Sequence, residues 1–248
     1  MSLKILAKKK LRNIYYRFYD GSIAKIRKPE VIKEARWLIN KESGRAYFKG
    51  YYEPELTSFL IKNLSDNSNF FDIGAHVGYF SLIASKICTN GHIVSFEPFP
   101  SNVKLIETVR NLNFVSNWSI VDKAVSDSNS EVNFEVGETS SMGKINNSST
   151  SSLKIPTLTL DDYIQSSGIK PNIVKIDVEG HGDRVLKGFE LIKSISEIKI
   201  LIEIHENSHE LSYIKEVFKS GFKAYDLNNM PIDLRNNKVP NHIVLVKE

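Results

Sequence analysis

Seven acids and histidines stand where short apolar runs stop. Asp72 lies in FFDIGAHVG (70–78), Glu97 follows HIVSF, Asp177, Glu179 and His181 lie in VKIDVEGHGD, and Glu203 and His205 close ILIEIH. Carboxylates accept hydrogen bonds from hydroxyls, attract cations and ligate hard metal ions, while an imidazole exchanges a proton near neutral pH. Apolar runs that end in such groups read as strands of an open α/β sheet, whose carboxyl ends face one ligand crevice.

The first two runs form a βαβ signature. Residues 70–73 read as a buried strand, Gly74 and Gly78 as a tight turn that lets the backbone approach a ligand, 79–87 as a helix, and 92–96 as a second strand ending at Glu97. Glu97 lies at the distance downstream where an acid accepts hydrogen bonds from ribose hydroxyls. Asp72 separates the ligand classes. A dinucleotide would bring a diphosphate to this turn against a carboxylate, whereas a ligand with an ammonium or sulfonium charge is attracted. That description suits S-adenosylmethionine.

DIGAHVGYFSL, VSFEPFP, TLTLDDYI and VKIDVEGHGDRVLKGF, followed by ILIEIH, together resemble the FkbM family of S-adenosylmethionine-dependent methyltransferases, from about residue 51 to residue 205. The resemblance implies an α/β class I methyltransferase (Rossmann-like) fold: a mostly parallel seven-stranded sheet, helices on both faces and an antiparallel C-terminal strand. It also implies O-methylation, here of a hydroxyl on a sugar, a glycolipid or a small natural product. The cofactor set expected is Glu53, Asp72, Gly74, Ala75, His76, Gly78, Glu97, Pro98, Lys123, Ala124 and Asp177. Two departures stand out: His76 where such loops often carry Asn, and Gly182 where an acid often follows the DVEGH run.

For methyl transfer to a hydroxyl the protein must align the acceptor oxygen and remove its proton. His205 is the favoured base and His181 the second, with Asp177, Glu179 and Glu203 beside them. A metal is the competing device: Asp177, Glu179, Glu203 and His205 offer oxygen and imidazole ligands to Mg²⁺ or Mn²⁺, which would acidify the hydroxyl. Metal-dependent catechol-type enzymes place a lysine three residues after the acid of this strand, where this chain has Gly180. Asp177 and Glu179 can equally serve the helix that starts near residue 183, since acids are favourable at a helix N-terminus. Enzymes that methylate exocyclic amines of nucleic acid carry an Asn/Asp-Pro-Pro-aromatic turn here. Asp177-Val178-Glu179-Gly180 is not one, so no specific nucleic acid is expected. A non-catalytic cofactor-binding module is the alternative from another class; it has no need of acids and histidines at the later strand ends.

The 248 residues, 41% hydrophobic, suit one methyltransferase domain at 51–248 behind a basic helical extension at 1–50. Residues 1–28 hold nine lysines and arginines against Asp20, so they carry +8 and the remainder −4. Apolar residues interleave with those bases. The segment reads as a helix on a membrane surface, or as a solvated or oligomer-packing helix. One cysteine, Cys88, reads as core, which with the lack of a signal peptide or an eighteen-residue apolar run suggests a cytoplasmic setting, peripheral to the inner membrane if the extension binds it. Helices are expected at 55–63, 102–111, 183–192 and 211–219, a third strand at 118–125, an exposed strand at 131–136, and later strands at 173–176, 198–204, 222–227 and 242–246, the last two antiparallel. The polar stretch 137–152 reads as a loop over the crevice, either a lid or an ordinary excursion.

Overall fold

The computed structural model of the chain describes residues 19–41, 43–135, 144–145, 152–205, 209–235 and 239–247. In chain order it has a hairpin of β1 (Ile23–Lys25) and β2 (Arg36–Leu38), helices α1 (Arg45–Lys49) and α2 (Pro54–Asn63), then β3 (Phe70–Ile73), α3 (Tyr79–Ile87), β4 (Ile93–Phe96), α4 (Pro100–Leu112) and β5 (Trp118–Val121). The strands β6 (Ala124–Val125), β7 (Glu131–Glu135), β8 (Lys144–Ile145) and β9 (Ser152–Leu158) follow. Next come α5 (Leu160–Ser167), β10 (Ile173–Ile176), α6 (Gly182–Lys187), β11 (Lys199–Glu203), α7 (Glu210–Phe218), β12 (Lys223–Tyr225) and β13 (His242–Val246).

The main sheet has seven strands in the order β12-β13-β11-β10-β3-β4-β5. From β11 to β5 all neighbours are parallel, while β13 runs antiparallel to both β11 and β12. The chain goes from β3 outward through β4 and β5 and returns to the other side of β3 with β10. The switch point, where ligands bind in such sheets, therefore lies between β3 and β10.

Alternation along the strands sorts the core into two layers. Phe70, Ile93 and Ile173 face α2, α3 and α4 through Leu56, Phe59, Leu82, Ile83 and Ile106. Phe71, Val94, Val174 and Ile200 face α5, α6 and α7 through Ile164, Val185, Leu186, Ile214 and Val217. The TLTLDDYI stretch becomes a helix cap: Thr159 Oγ1 accepts from the Asp162 backbone N–H at 3.1 Å, which starts α5. Cys88 is buried at the end of α3, and that burial pushes its thiol up to about 12.

Several sequence expectations change. The strand expected at 118–125 is two strands, because the chain breaks after Val121 and β6 pairs with β9 in a separate four-stranded sheet, order β6-β9-β7-β8. Residues 152–158 supply its central strand: Ile155 and Thr157 bury while Lys154 points outward. The loop expected at 137–152 contains β8, paired to β7; the rest of it up to residue 151 lies outside the described residues. The helix expected at 183–192 ends at Lys187, and a single 3-10 turn, Glu190–Lys193, follows. Of the basic helical extension expected at 1–50, residues 1–18 lie outside the described residues, while 19–41 and 43–50 hold the β1–β2 hairpin, a 3-10 turn at Glu30–Ile32 and the short helix α1. Ile26, Ile32 and Trp37 are fully buried, Trp37 stacks on Tyr47 at 5.4 Å, and Asn113 beyond α4 exchanges two 2.8 Å hydrogen bonds with Arg36.

One buried polar contact sits inside this apolar frame. Lys175 on β10 stands opposite Asp72 on β3, Nζ to Oδ1 3.3 Å, with both side chains almost wholly buried. Ser81 of α3 donates to Asp72 Oδ2 at 2.7 Å and lies 2.6 Å from Ser95, which in turn accepts from the Trp118 indole N–H at 2.7 Å. Removing one member of a buried pair strands the other, at a cost of about 3–5 kcal/mol. Lys175→Met is expected to lose stability of that order in urea denaturation, and Lys175→Met combined with Asp72→Asn to recover most of it. A double variant no more stable than the single one contradicts the pairing.

Candidate active site

A cavity of about 290 Å³ opens at the carboxyl ends of β11, β10, β3 and β4. Gly74, with φ 76°, turns the chain directly after β3. A Cβ there would lie 1.9 Å from the Asp177 carbonyl oxygen, so only glycine lets the β3 turn lie against the end of β10. The turn continues through His76, also left-handed at φ 51°, whose Nδ1 is 3.3 Å from the Tyr47 hydroxyl.

On the β4 side the wall is built on Glu97. Its Oε2 accepts from the His76 backbone N–H at 2.8 Å, and its Oε1 from Phe99 N–H at 3.0 Å and from Asn102 Nδ2 at 3.2 Å. Burial raises the pKa of this carboxyl, and those hydrogen bonds work against the rise. A carboxylate has about four acceptor sites, so one so held still has capacity for a ligand hydroxyl. Pro98, Lys123, Ala124 and Val125 continue the wall toward β5 and β6.

The β10–β11 side is acidic. Burial opposes ionisation of Asp177, but Lys175 at 3.4 Å, a hydrogen bond from Glu203 and the nearby His205 together lower its pKa. Glu203 goes the other way: burial and the Asp177 charge push it up to about 7, so this carboxyl carries the proton that the pair shares. His205 sits between carboxylates. Its Nε2 is 3.9 Å from Asp177 and 3.8 Å from Glu179, and its Nδ1 is 3.5 Å from Glu210. Glu210, at the start of α7 and fully buried, also accepts from the backbone N–H groups of Gly182 at 3.1 Å and His205 at 2.8 Å. The Glu210 carboxylate facing the ring raises the His205 pKa; burial works against this, and the charges of Glu203 and Asp177 add to the rise. Asp177, Glu203 and His205 offer ligand atoms within 4.8 Å of one another, a spacing that can hold a metal ion.

Glu53 completes that end in a left-handed conformation, φ 36°, unusual for a residue other than glycine. Its Oε2 is buried with no hydrogen-bond partner among the described residues and lies 3.8 Å from His242 Nε2, itself unpartnered in the same sense. An acceptor oriented this way on a cavity wall is suited to a ligand's donor.

Most of the residues expected from sequence meet here: Glu53, Gly74, His76, Glu97, Pro98, Lys123, Ala124, Asp177, Glu179, His181, Glu203 and His205 all line the cavity. Asp72, Ala75 and Gly78 do not. Asp72, expected to face the ligand's positive charge, points into the sheet and is neutralised by Lys175, because its place on β3 turns it to the α3 face. Gly78 packs instead against the Trp118 ring, 3.0 Å from where its Cβ would be. His181 stands at the rim, its Nε2 3.1 Å from Ser126 Oγ, and burial lowers its pKa. Sequence reading missed Tyr52, Asn102, Lys175, Glu210 and His242. A lysine inside an otherwise apolar strand was the available signal for Lys175. Glu210, five residues after His205, carries no local pattern that marks it, and His242 is brought to the site only by the pairing of β13 with β11.

Fold and site together define a class of protein, and comparison with known proteins agrees. Residues 72–223 match the methyltransferase FkbM domain family, and the chain belongs to it. It is 28% identical over 156 residues to hexuronic acid methyltransferase AglP of Haloferax volcanii, a match that covers 62% of each chain and so less than two thirds of that relative. The crystal structure of methyltransferase FkbM from Methylobacillus flagellatus KT aligns with TM-score 0.50 and 16% identity, over 74% of this chain and 44% of that one. The seven-stranded α/β sheet is the class I, Rossmann-like arrangement of methyltransferases. Tyr52 and Glu53 lie before the matched segment, so part of the cavity wall comes from outside it.

The Glu203 carboxyl ties stability to pH. Its folded-state value of about 7 lies above the ordinary 4.5, so its contribution is fully present below pH 4.5 and is lost as pH rises through 7. Glu203→Gln keeps the neutral form at every pH. Thermal melts should show it equal to wild type at pH 5 and more stable at pH 8 by about 1–2 kcal/mol, a figure reduced for the solvent that reaches the group. Equal melts at pH 8 would return Glu203 to an ordinary carboxylate.

Proposed function

We propose that the chain is an S-adenosylmethionine-dependent O-methyltransferase acting on a sugar hydroxyl, with a uronic-acid sugar as the favoured acceptor. The observation that carries the reading is the two-ended cavity. Glu97 at the end of β4 and Asp177 at the end of β10 flank the Gly74 turn, two strand spacings apart, about 10 Å. That separation suits a nucleoside with a cationic amino-acid tail. Glu97 accepts from the ribose hydroxyls, Lys123, Ala124 and Val125 border the base, and Glu53 and Asp177 take the ammonium. The cationic end thus meets these wall acids, and Asp72 serves the cavity only through Lys175. A diphosphate would meet the acids and be repelled. The sugar acceptor is supported by the name of the curated relative, a hexuronic acid methyltransferase.

Bound here, S-adenosylmethionine supplies an electrophilic methyl group. The protein's task is to hold the acceptor oxygen in line and take its proton. His205 receives that proton on Nε2, while Glu210, facing Nδ1, fixes the ring and stabilises the imidazolium. Because His205 titrates above its ordinary range, activity rises with pH through a value above 6.5. A second reading is supported by the close approach of Asp177, Glu203 and His205: a divalent cation there would acidify the hydroxyl by Lewis acidity.

Calorimetry should give micromolar affinity for S-adenosylmethionine, about −8 kcal/mol, with no comparable affinity for NAD. Glu97→Ala should lose about 1–3 kcal/mol of it. Unchanged affinity in Glu97→Ala would remove Glu97 from the ribose site.

His205→Ala should keep cofactor affinity and lose about 10²- to 10⁴-fold in turnover. Glu210→Gln should move the pH–rate midpoint downward, since the charge that favours the imidazolium is gone. If a cation activates the hydroxyl, chelator abolishes turnover of the unmutated protein. Full activity in chelator together with near-normal turnover of His205→Ala would defeat both readings.

A further inference from the structure

A second depression, of about 670 Å³, lies on the far side of His181, whose ring belongs to both walls. One wall is the segment that leaves the cavity after Val125, with Ser126, Asp127 and Ser128; the other is α6 and α7, with Arg184, Lys187 and Tyr213. Val132 is the one aliphatic side chain in its described lining. Its charges close on each other: Arg184 Nη1 to Asp127 Oδ2 is 2.6 Å and Lys187 Nζ to Asp183 Oδ2 is 3.0 Å, with the Lys187 ammonium 5.3 Å from the Tyr213 ring centre.

The first cavity, about 290 Å³, is no larger than the smallest of the roughly 300–1,000 Å³ small-molecule sites, so the cofactor takes up its volume and the acceptor sugar enters only at its mouth. An acceptor larger than the sugar being methylated must therefore extend past the rim, where His181, 3.1 Å from Ser126, lines the cavity on one side and the depression on the other. We propose that this groove is an acceptor subsite for the sugar units adjoining the methylated one, and that the acceptor is an oligosaccharide rather than a free monosaccharide. This rests on the methyltransferase reading above.

The chemistry of the lining selects the occupant. Paired acids and bases hold each other in place and so present fixed donors and acceptors to hydroxyl groups, with serine hydroxyls between them. Tyr213, partly buried and bordered by the Lys187 ammonium, brings an aromatic ring with a polar tip to this lining, a group that suits the C–H side of a sugar ring. Nucleic acid needs an excess of cations, and Asp127, Asp183 and Glu216 outnumber Arg184 and Lys187. A peptide needs an apolar anchor pocket, and Val132 alone does not make one.

The test is retention on a printed array carrying monosaccharides, di- to hexasaccharides ending in the same sugars, including uronic acids, and RNA oligonucleotides. The full chain is applied as its S-adenosylhomocysteine complex. Oligosaccharides should be retained at least about tenfold more than their matching monosaccharides. Tyr213→Ala and Arg184→Ala should each lose that advantage, Tyr213→Phe should keep it, and all three should bind S-adenosylhomocysteine as wild type does in calorimetry. Equal retention of monosaccharides, unchanged retention in both alanine variants, retention of RNA instead, or no glycan retained while the cofactor product binds normally would each overturn the groove. Failure of the wild type to bind S-adenosylhomocysteine would instead overturn the methyltransferase reading itself.

Discussion

The Lys175 ammonium is the constraint on which the site depends. It is buried between Asp72 at 3.3 Å and Asp177 at 3.4 Å, and donates to the Gly74 carbonyl at 3.3 Å. Burial alone would favour the neutral amine, but Asp72, Asp177 and Glu53 outweigh it and its pKa is raised. One cation thus joins the interior of β3, the end of β10 and the turn between them. It favours the ionised Asp177, and burial of Glu203 together with that charge pushes the Glu203 carboxyl up to about 7. The acid–base state of the cavity is therefore set from inside the sheet, by a residue that does not line it.

Asp72, from whose charge a cationic ligand is expected, pairs with Lys175 and does not line the cavity. Asp72 is the third residue of the four-residue buried strand β3. Strand alternation turns it to the α3 layer, where an unpaired charge would be prohibitive and Lys175 supplies the partner. The acids left to meet a cationic ligand are Glu53, just before α2, and Asp177, at the end of β10, both of which line the cavity.

What could be read from the sequence followed from short range. The βαβ unit, the glycine turn, Glu97 and the acids after β10 and β11 are local patterns of period and spacing, and the fold preserves them. Three things escaped. The small sheet of β6, β7, β8 and β9 depends on pairing residues 124–125 and 131–135 with 152–158 across a polar stretch without periodicity. The N-terminal hairpin has strands of three residues, too short to show alternation. His242 reaches the site only through β13, which pairs with β11 from far along the chain, and Glu210, five residues after His205, has no local pattern to show that its carboxylate turns back to the ring. Local chemistry was legible, and the groups that orient it were not.

The most direct measurement is a crystal structure of the S-adenosylhomocysteine complex. The account predicts ribose hydroxyls on Glu97, the homocysteine ammonium between Glu53 and Asp177, and Asp72 still paired with Lys175 behind the Gly74 turn. A ligand ammonium on Asp72 with Lys175 displaced, or a ligand that leaves Glu97 untouched, would contradict it.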